Sequence, residues 1–481
     1  MTKKKKDSAP AELTFKPKSC WEVYDTPAHA KAMDKLAREY VDFLSCCKTE
    51  REVIGWVARW LAKEGFSTDF ASDRCFRVKA CKTVFIARKG RRPLAEGVRL
   101  LGAHADSPRL DFKQHPLYET ASVGLAKTHY YGGIRKHQWL ARPLALHGVA
   151  VKTDGRAVEI VIGENPSDPV FTIADLLPHL AYKQVEQKLG EAFEAEKFNV
   201  IVGHKPAENG DSGGGSDGSI GGSNGNGGNG GKDLVKQRVL ELLNERYGIV
   251  EEDLFSAELQ IVPAGPARFV GLDSSLIGGY GHDDRVCLFA GLQAFLRADK
   301  PEYTQVLVFW DKEEIGSEGN TGAKSRFMEY CMEDLCAAWE PAARPLRVLE
   351  RSWAVSADVH GALDPDFQEL HDKLNAAMLG YGPCFCKYTG HRGKVGANDA
   401  HPEYVAWLRR ILNEDGIPWQ MAGLGRVDLG GGGTVAKYIA EYGMEIIDFG
   451  TPVLSMHSPF ELVSKADLYA TMLAYETFLR K

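Results

Sequence analysis

The sequence predicts an α/β fold: a three-layer α/β/α domain with a mixed, largely parallel sheet, interrupted by an inserted β-rich domain. Three observations lead there. Apolar runs rich in β-branched and aromatic residues, of which Val306 to Trp310 ("VLVFW") is the clearest, read as strands buried on both faces of a parallel sheet. After about residue 262 such runs alternate with helical stretches, as they do in a sheet covered by helices on both sides. Residues 129–163, "HYYGGIRKHQWLARPLALHGVAVKTDGRAVEIVIG", instead alternate apolar and polar side chains between glycine-containing turns, as an antiparallel sheet would.

Each element follows in order. Lys3 to Lys6 form a short basic run with no apolar signal-peptide stretch behind it, which reads as a solvated, frayed terminus. From Ala30 to Ala62 the spacing is helical, with Leu36, Tyr40, Phe43 and Leu44 on one face and Trp56, Trp60 and Leu61 on another. Val98 to Gly102 ("VRLLG") is a short buried strand. Asn209 to Lys232 is almost entirely Gly, Ser, Asn and Asp, which cannot bury enough apolar surface to offset its ordering entropy, so a flexible surface loop is expected. No "GK[ST]" accompanies it to suggest phosphate binding. Asp233 is placed to cap a helix carrying Val235, Val239, Leu242 and Leu243 as its apolar stripe, with Gly248 closing it. Trp353 to Ala357 and Met444 to Phe449 complete the strand set. The division expected is one domain from residues 1–112 and 263–481, interrupted by a second at 113–262 that includes the glycine-rich loop at 209–232.

At 481 residues the chain exceeds one compact core. Its 44% hydrophobic and 26% charged residues are ordinary for a globular protein, and no apolar run is long enough to span a bilayer, so no membrane partner is expected. A formal charge of -6 gives no electrostatic reason to expect nucleic acid. Ten cysteines in so long a chain, without zinc-finger spacing, read as reduced thiols in a cytoplasmic protein. Packing accounts for Cys331 and Cys336.

Ligands of an open parallel sheet bind beyond the carboxyl ends of its strands. After "VRLLG" come His104 and Asp106; after "VLVFW", Glu313 and Glu314; after "WAVSA", Asp358; shortly after "MEIIDFG", His457. Asp283 and Asp284 precede an apolar helix. So many carboxylates in one crevice repel one another unless cations neutralise them, and two imidazoles with a carboxylate set suit Zn²⁺ or a related ion. Two metals sharing a bridging carboxylate would use the whole inventory. If the chain turns just after Trp310, one of the adjacent glutamates can bind metal while its unligated neighbour takes a proton from water.

The motifs "GAHADSP", "YGHDDRVC", "DKEEIGS", "SADVHGALDP" and "MHSPFEL" resemble, in the same order, those of the aspartyl aminopeptidase and aminopeptidase I family of dinuclear metallopeptidases. That resemblance implies two divalent ions per subunit, Zn²⁺ first with Mn²⁺ or Co²⁺ as alternatives. His104, Asp283 and Asp358 would hold one ion, with Asp283 bridging to a second held by Glu314 and His457. Glu313 would be the general base, Asp106 would orient His104, and the Asp283–Asp284 bond would be cis. It further implies a metal-dependent aminopeptidase acting on peptides, an inserted dimerisation domain, and dimers assembled into a dodecamer. "DLLPHLA" resembles the segment through which a histidine enters the neighbouring subunit's site, which points to His179. "CKYTGHRGK" and "VDLGGGGT" resemble substrate-side loops, with Lys387 as the charged contact. The chain carries "GHDDR" where the eukaryotic aspartyl enzymes have an "LDN"-type sequence, and it has the glycine-rich insertion.

Two other readings compete. A carboxypeptidase or amide deacylase would use the same metals with a cationic clamp, from Lys387 or Arg392. A non-catalytic assembly protein would have lost a ligand or the base, and all of them are present.

Overall fold

The computed structural model describes residues 13–208 and 233–481; the expectations for Lys3 to Lys6 and for the loop at 209–232 lie outside the described residues. Among the described residues the central sheet has eight strands. Four run parallel at its centre, in the spatial order Thr304–Trp310, Val98–His104, Trp353–Ser356 and Glu445–Gly450. Thr83–Arg88 and Cys384–Cys386 pair antiparallel on either side, so the sheet is mixed.

Side chains of the buried strands alternate between two cores. Leu101, Leu307, Phe309 and Val355 pack beneath Phe43, Phe289 and Tyr475, against the helices Pro27–Cys46, His282–Arg297 and Lys465–Arg480. Leu100, Val306, Val308 and Trp310 face the other way, toward Met332 and Leu335 of the helix Phe327–Trp339. The continuous apolar runs are therefore two interleaved period-two faces, each covered by helix. Glycine permits close approach at one point that matters: a Cβ on Gly102 would collide with the Trp310 ring.

The first helices follow their periodicity. Leu36, Tyr40, Phe43 and Leu44 are buried, and Thr49 and Glu52 form a capping box at the start of Glu50–Lys63. Trp56 and Trp60 are only partly buried, against that same core.

A second, six-stranded antiparallel sheet is built from Ala157–Ile162, Leu144–Val151, Glu258–Pro263, Arg109–Thr120, Val123–Tyr131 and Asn199–Gly203, in that spatial order. Its strands begin at Arg109 and end at Pro263. Trp139, Ile160, Val200 and Ile261 fill its own core. The helix Leu234–Tyr247 differs in two respects from the reading of its sequence. Asp233 makes no capping bond; Glu119, reaching across from the strand Arg109–Thr120, accepts the backbone N–H groups of Val235 and Lys236 instead. Leu242 is 48% exposed, so the buried stripe rests on Val235 and Val239. Gly248 closes the helix in the left-handed conformation. Among the described residues no helix is long and apolar enough to cross a membrane.

Candidate metal centre

Register brings the polar residues together. Trp310 lies opposite His104, and Ser356 opposite Gly102, so the residues following these strands emerge at one level. Beyond Trp310 the chain reverses through Lys312, held at φ 67, into the single turn Glu313–Ile315. Successive side chains of so tight a turn point roughly 120° apart, so the adjacent glutamates take different directions. On the other side, the helix His282–Arg297 begins with non-helical backbone at Asp283 and Asp284, joined by a cis peptide bond. Ser107 Oγ donates to the Asp283 carbonyl at 2.7 Å, pinning that entry to the loop after His104.

The geometry is compact. His104 Nε2 stands 3.1 Å from Asp283 Oδ1 and 3.9 Å from Asp358 Oδ1. His457 Nε2 stands 3.2 Å from Asp283 Oδ2 and 3.3 Å from Glu314 Oε2. Each imidazole can donate through Nδ1 to a backbone carbonyl, His104 to Asp106 at 3.1 Å and His457 to Gly133 at 2.9 Å. With Nδ1 so engaged, the Nε2 of both rings faces the carboxylates, the orientation metal-binding histidines adopt.

Electrostatics point the same way. Glu314 and Asp358 are held well above the ordinary carboxyl range, by burial first and then by neighbouring carboxylates, Asp283 for the one and Asp284 for the other. Burial also lifts Glu313, to about 7, helped by the charges of Asp106 and Asp283. Burial opposes charging of His457 as well, but Glu314 and Asp283 outweigh it and raise the ring to about 10. Asp283 stays below its usual value despite burial, because both imidazoles hydrogen-bond to it. Glu314 Oε1 and Asp284 Oδ1 are buried without a hydrogen-bond partner. Orphaned carboxylate oxygens beside two imidazole Nε2 atoms are the donor set a divalent cation satisfies. His104, Asp283 and Glu314 present ligand atoms within 4.8 Å of one another, and so do His104, Asp284 and Asp358.

A family model described as Aminopeptidase I zinc metalloprotease (M18) matches residues 43–479. The chain belongs to the M18 aminopeptidase family. A probable M18 family aminopeptidase 1 of Clostridium acetobutylicum is 42% identical over 483 residues, covering 98% of this chain and 99% of the relative. The crystal structure of an M18 family aminopeptidase from Thermotoga maritima superposes with a TM-score of 0.89 at 43% identity, covering 97% of this chain and 100% of the other. The fold alone extends to the yeast mApe1 dodecamer, with a TM-score of 0.72 at 19% identity, covering 93% and 97% of the two chains. This M18 chain is thus a metallo-aminopeptidase, a hydrolase of peptide bonds, and its family does not favour the carboxypeptidase or deacylase reading.

In this M18 aminopeptidase a cavity of about 720 Å³ opens over Asp283, Glu313, Glu314, Asp358 and His457. Lys387 does not line it: its ammonium pairs with Asp399 at 3.1 Å, alongside Lys394 at 2.7 Å. The short strand Cys384–Cys386 runs directly into Lys387, and cations that reach the cavity wall come from later segments, at Arg392, Lys394 and Arg426 in loops and Lys437 in the short helix Ala436–Ile439. Arg392 is one of the two cations the sequence offers as a clamp; the other three carry no sequence signal that separates them from surface charge. His179 lies in the exposed turn Pro178–Leu180, outside the cavity lining.

Asp106 is fully buried and accepts the backbone N–H groups of Glu313 and Glu314, at 3.1 Å and 3.2 Å, while its Oδ1 lies 3.3 Å from His104 Nδ1. One residue of this kind escaped the sequence reading. Glu461 accepts the backbone N–H of His457 at 2.7 Å and of Asp283 at 3.1 Å, bracing two opposed residues of the cluster from behind. Its place in "MHSPFEL" was the available signal.

Proposed function

We propose that this chain removes the N-terminal residue of peptides using two divalent cations, Zn²⁺ in the first instance, with Glu313 as the proton carrier. His104, Asp283 and Asp358 would hold one ion, and Asp283, Glu314 and His457 would hold a second. The opposed use of Asp283 carries this reading: Oδ1 faces His104 at 3.1 Å and Oδ2 faces His457 at 3.2 Å, as a bridging carboxylate requires. When bound, such ions polarise the scissile carbonyl and lower the pKa of water. Glu313 takes the proton of the attacking water and returns it to the leaving amine. Burial favours the protonated form of this carboxyl, which suits it to hold and return a proton. Asp106 holds the Glu313–Glu314 backbone in place for this exchange.

The segment around His179 supports a homo-oligomer of dimers, with a dodecamer as the assembly. Leu180, Tyr182 and Val185, flanking His179, are 68%, 77% and 80% exposed, more apolar surface than one arm of a monomer ordinarily leaves to water. A partner copy covering that arm would place His179 against the neighbouring cavity, where it can donate a hydrogen bond to the developing oxyanion. All ten cysteines are free, which supports a reducing, cytoplasmic setting.

Metal analysis of purified protein, paired with product analysis on an unblocked tripeptide, tests the reading. Two equivalents of metal and release of the N-terminal residue are expected. Release of the C-terminal residue, or turnover of an N-acetylated tripeptide in preference to the free one, would refute it.

A further inference from the structure

The buried carboxylate of Asp106 has a donor from outside the catalytic sheet. The Tyr131 hydroxyl donates to Asp106 Oδ2 at 2.8 Å. Tyr131 ends the strand Val123–Tyr131 of the six-stranded sheet, directly opposite Arg109 in register. The Arg109 guanidinium carbon sits 3.7 Å from the centre of the Tyr131 ring, and Arg109 is itself held by Asp111 at 2.8 Å and Glu50 at 3.4 Å. Two residues beyond Tyr131, the Gly133 carbonyl lies 2.9 Å from His457 Nδ1. The end of one inserted strand thus reaches both sides of the metal cluster.

Asp106 has a particular task in this arrangement. Its two oxygens accept the N–H groups of consecutive residues of one turn, Glu313 on Oδ1 and Glu314 on Oδ2. Both bonds form only at one rotation of the carboxylate about its Cβ–Cγ bond. A hydroxyl bonded to one carboxylate oxygen is a directional restraint on that rotation, more so where water is excluded. Resting on the function proposed above, we infer that Tyr131 is a positioning residue for the reaction: its hydroxyl orients Asp106, which holds the Glu313–Glu314 turn and the His104 ring in working geometry. The inserted sheet is then a structural component of the active site.

Tyr131→Phe tests this, because it keeps the ring beneath Arg109 and removes one donor. Loss of partners that orient metal ligands commonly costs about 10- to 100-fold in activity or metal affinity. For Tyr131→Phe a fall in kcat of about 10-fold is expected, with KM within about 2-fold. A metal-free readout accompanies it: amide exchange of a peptide spanning residues 311–316 should quicken, while exchange in the strand Thr304–Trp310 stays at the wild-type rate. In an Asp106→Asn background, Tyr131→Phe should add nothing further. Unchanged kcat with unchanged amide exchange would overturn the inference. So would losses that add in the double variant, since Tyr131 would then act by another route. A uniform rise in exchange across the catalytic sheet with normal kcat per folded molecule would reduce Tyr131 to a packing role. The exchange experiment uses no metal and no substrate, so it stands or falls separately from the proposed chemistry.

Discussion

His457 and Asp283 face each other across the centre of the site, ring Nε2 to carboxylate Oδ2 at 3.2 Å. One comes from the turn after the strand Pro452–Leu454 and the other from the irregular start of the helix His282–Arg297, and Glu461 bonds to the backbone of both. Because Asp283 has a second oxygen engaged by His104, the two residues are not equivalent in what their loss removes.

Asp283→Ala should therefore strip both ions, with metal content falling toward zero. His457→Ala should leave about one equivalent per subunit in place, more weakly held than in wild type by about 10-fold or more. Plasma emission analysis after gel filtration distinguishes them. Equal metal content in the two variants would contradict a bridging role for Asp283.

Glu313→Gln should lower kcat by about 100-fold or more while metal content stays near wild type, because the amide cannot accept a proton and Glu313 lies outside the ligand set. Near-normal turnover in that variant would remove Glu313 from the reaction.

The metal-free protein should lose stability as pH rises. Glu313 and Glu461 have folded pKa values of about 7 and about 8, above the 4.5 of an unperturbed glutamate, so the folded state holds protons there that the unfolded chain releases. His457 is raised from 6.5 to about 10, so its contribution is complete below 6.5 and is lost as pH climbs through 10. Both slopes have the same sign. Asp283, held low, acts oppositely but only in acid, where its contribution fades as pH falls. Tm of the metal-free protein should fall between about pH 6 and about pH 9, and the rise in Tm on adding Zn²⁺ should grow over the same range. A flat metal-free profile, or a Zn²⁺ effect that shrinks with pH, would contradict this account.

His179 admits a complementation test. His179→Ala should bind both metals and assemble normally yet lose turnover, since only a contact made in the transition state has gone. Mixed with Glu313→Gln under conditions of subunit exchange, it should regain part of the activity, because a mixed dimer holds one site with both groups. No recovery, with exchange verified by native mass spectrometry, would leave His179 as an interface histidine.

The sequence by itself determined the strands, and through them the neighbourhood of the site. Runs such as Val306 to Trp310 must be covered on both faces, and in a parallel sheet their ends lie at one edge, so His104, Glu313, Glu314 and Asp358 were legible as neighbours before any coordinate. The ordered motifs identified the family for the same reason: they are local, and local patterns survive in one dimension. Tertiary structure decided what depends on packing between distant segments. Lys387 and Lys394 share Asp399 as an ion-pair partner, and Lys394, Arg426 and Lys437 come from separate segments to line one cavity. Glu119, far away in the chain, does the capping that Asp233 seemed placed to do. Tyr131 ends an ordinary alternating strand, and its hydroxyl meets Asp106 only because one sheet packs against the end of the other. A hydrogen bond acts over about 3 Å and demands direction as well as distance. Residue spacing encodes which face of an element is buried, whereas partners at that range are chosen by how the finished layers dock.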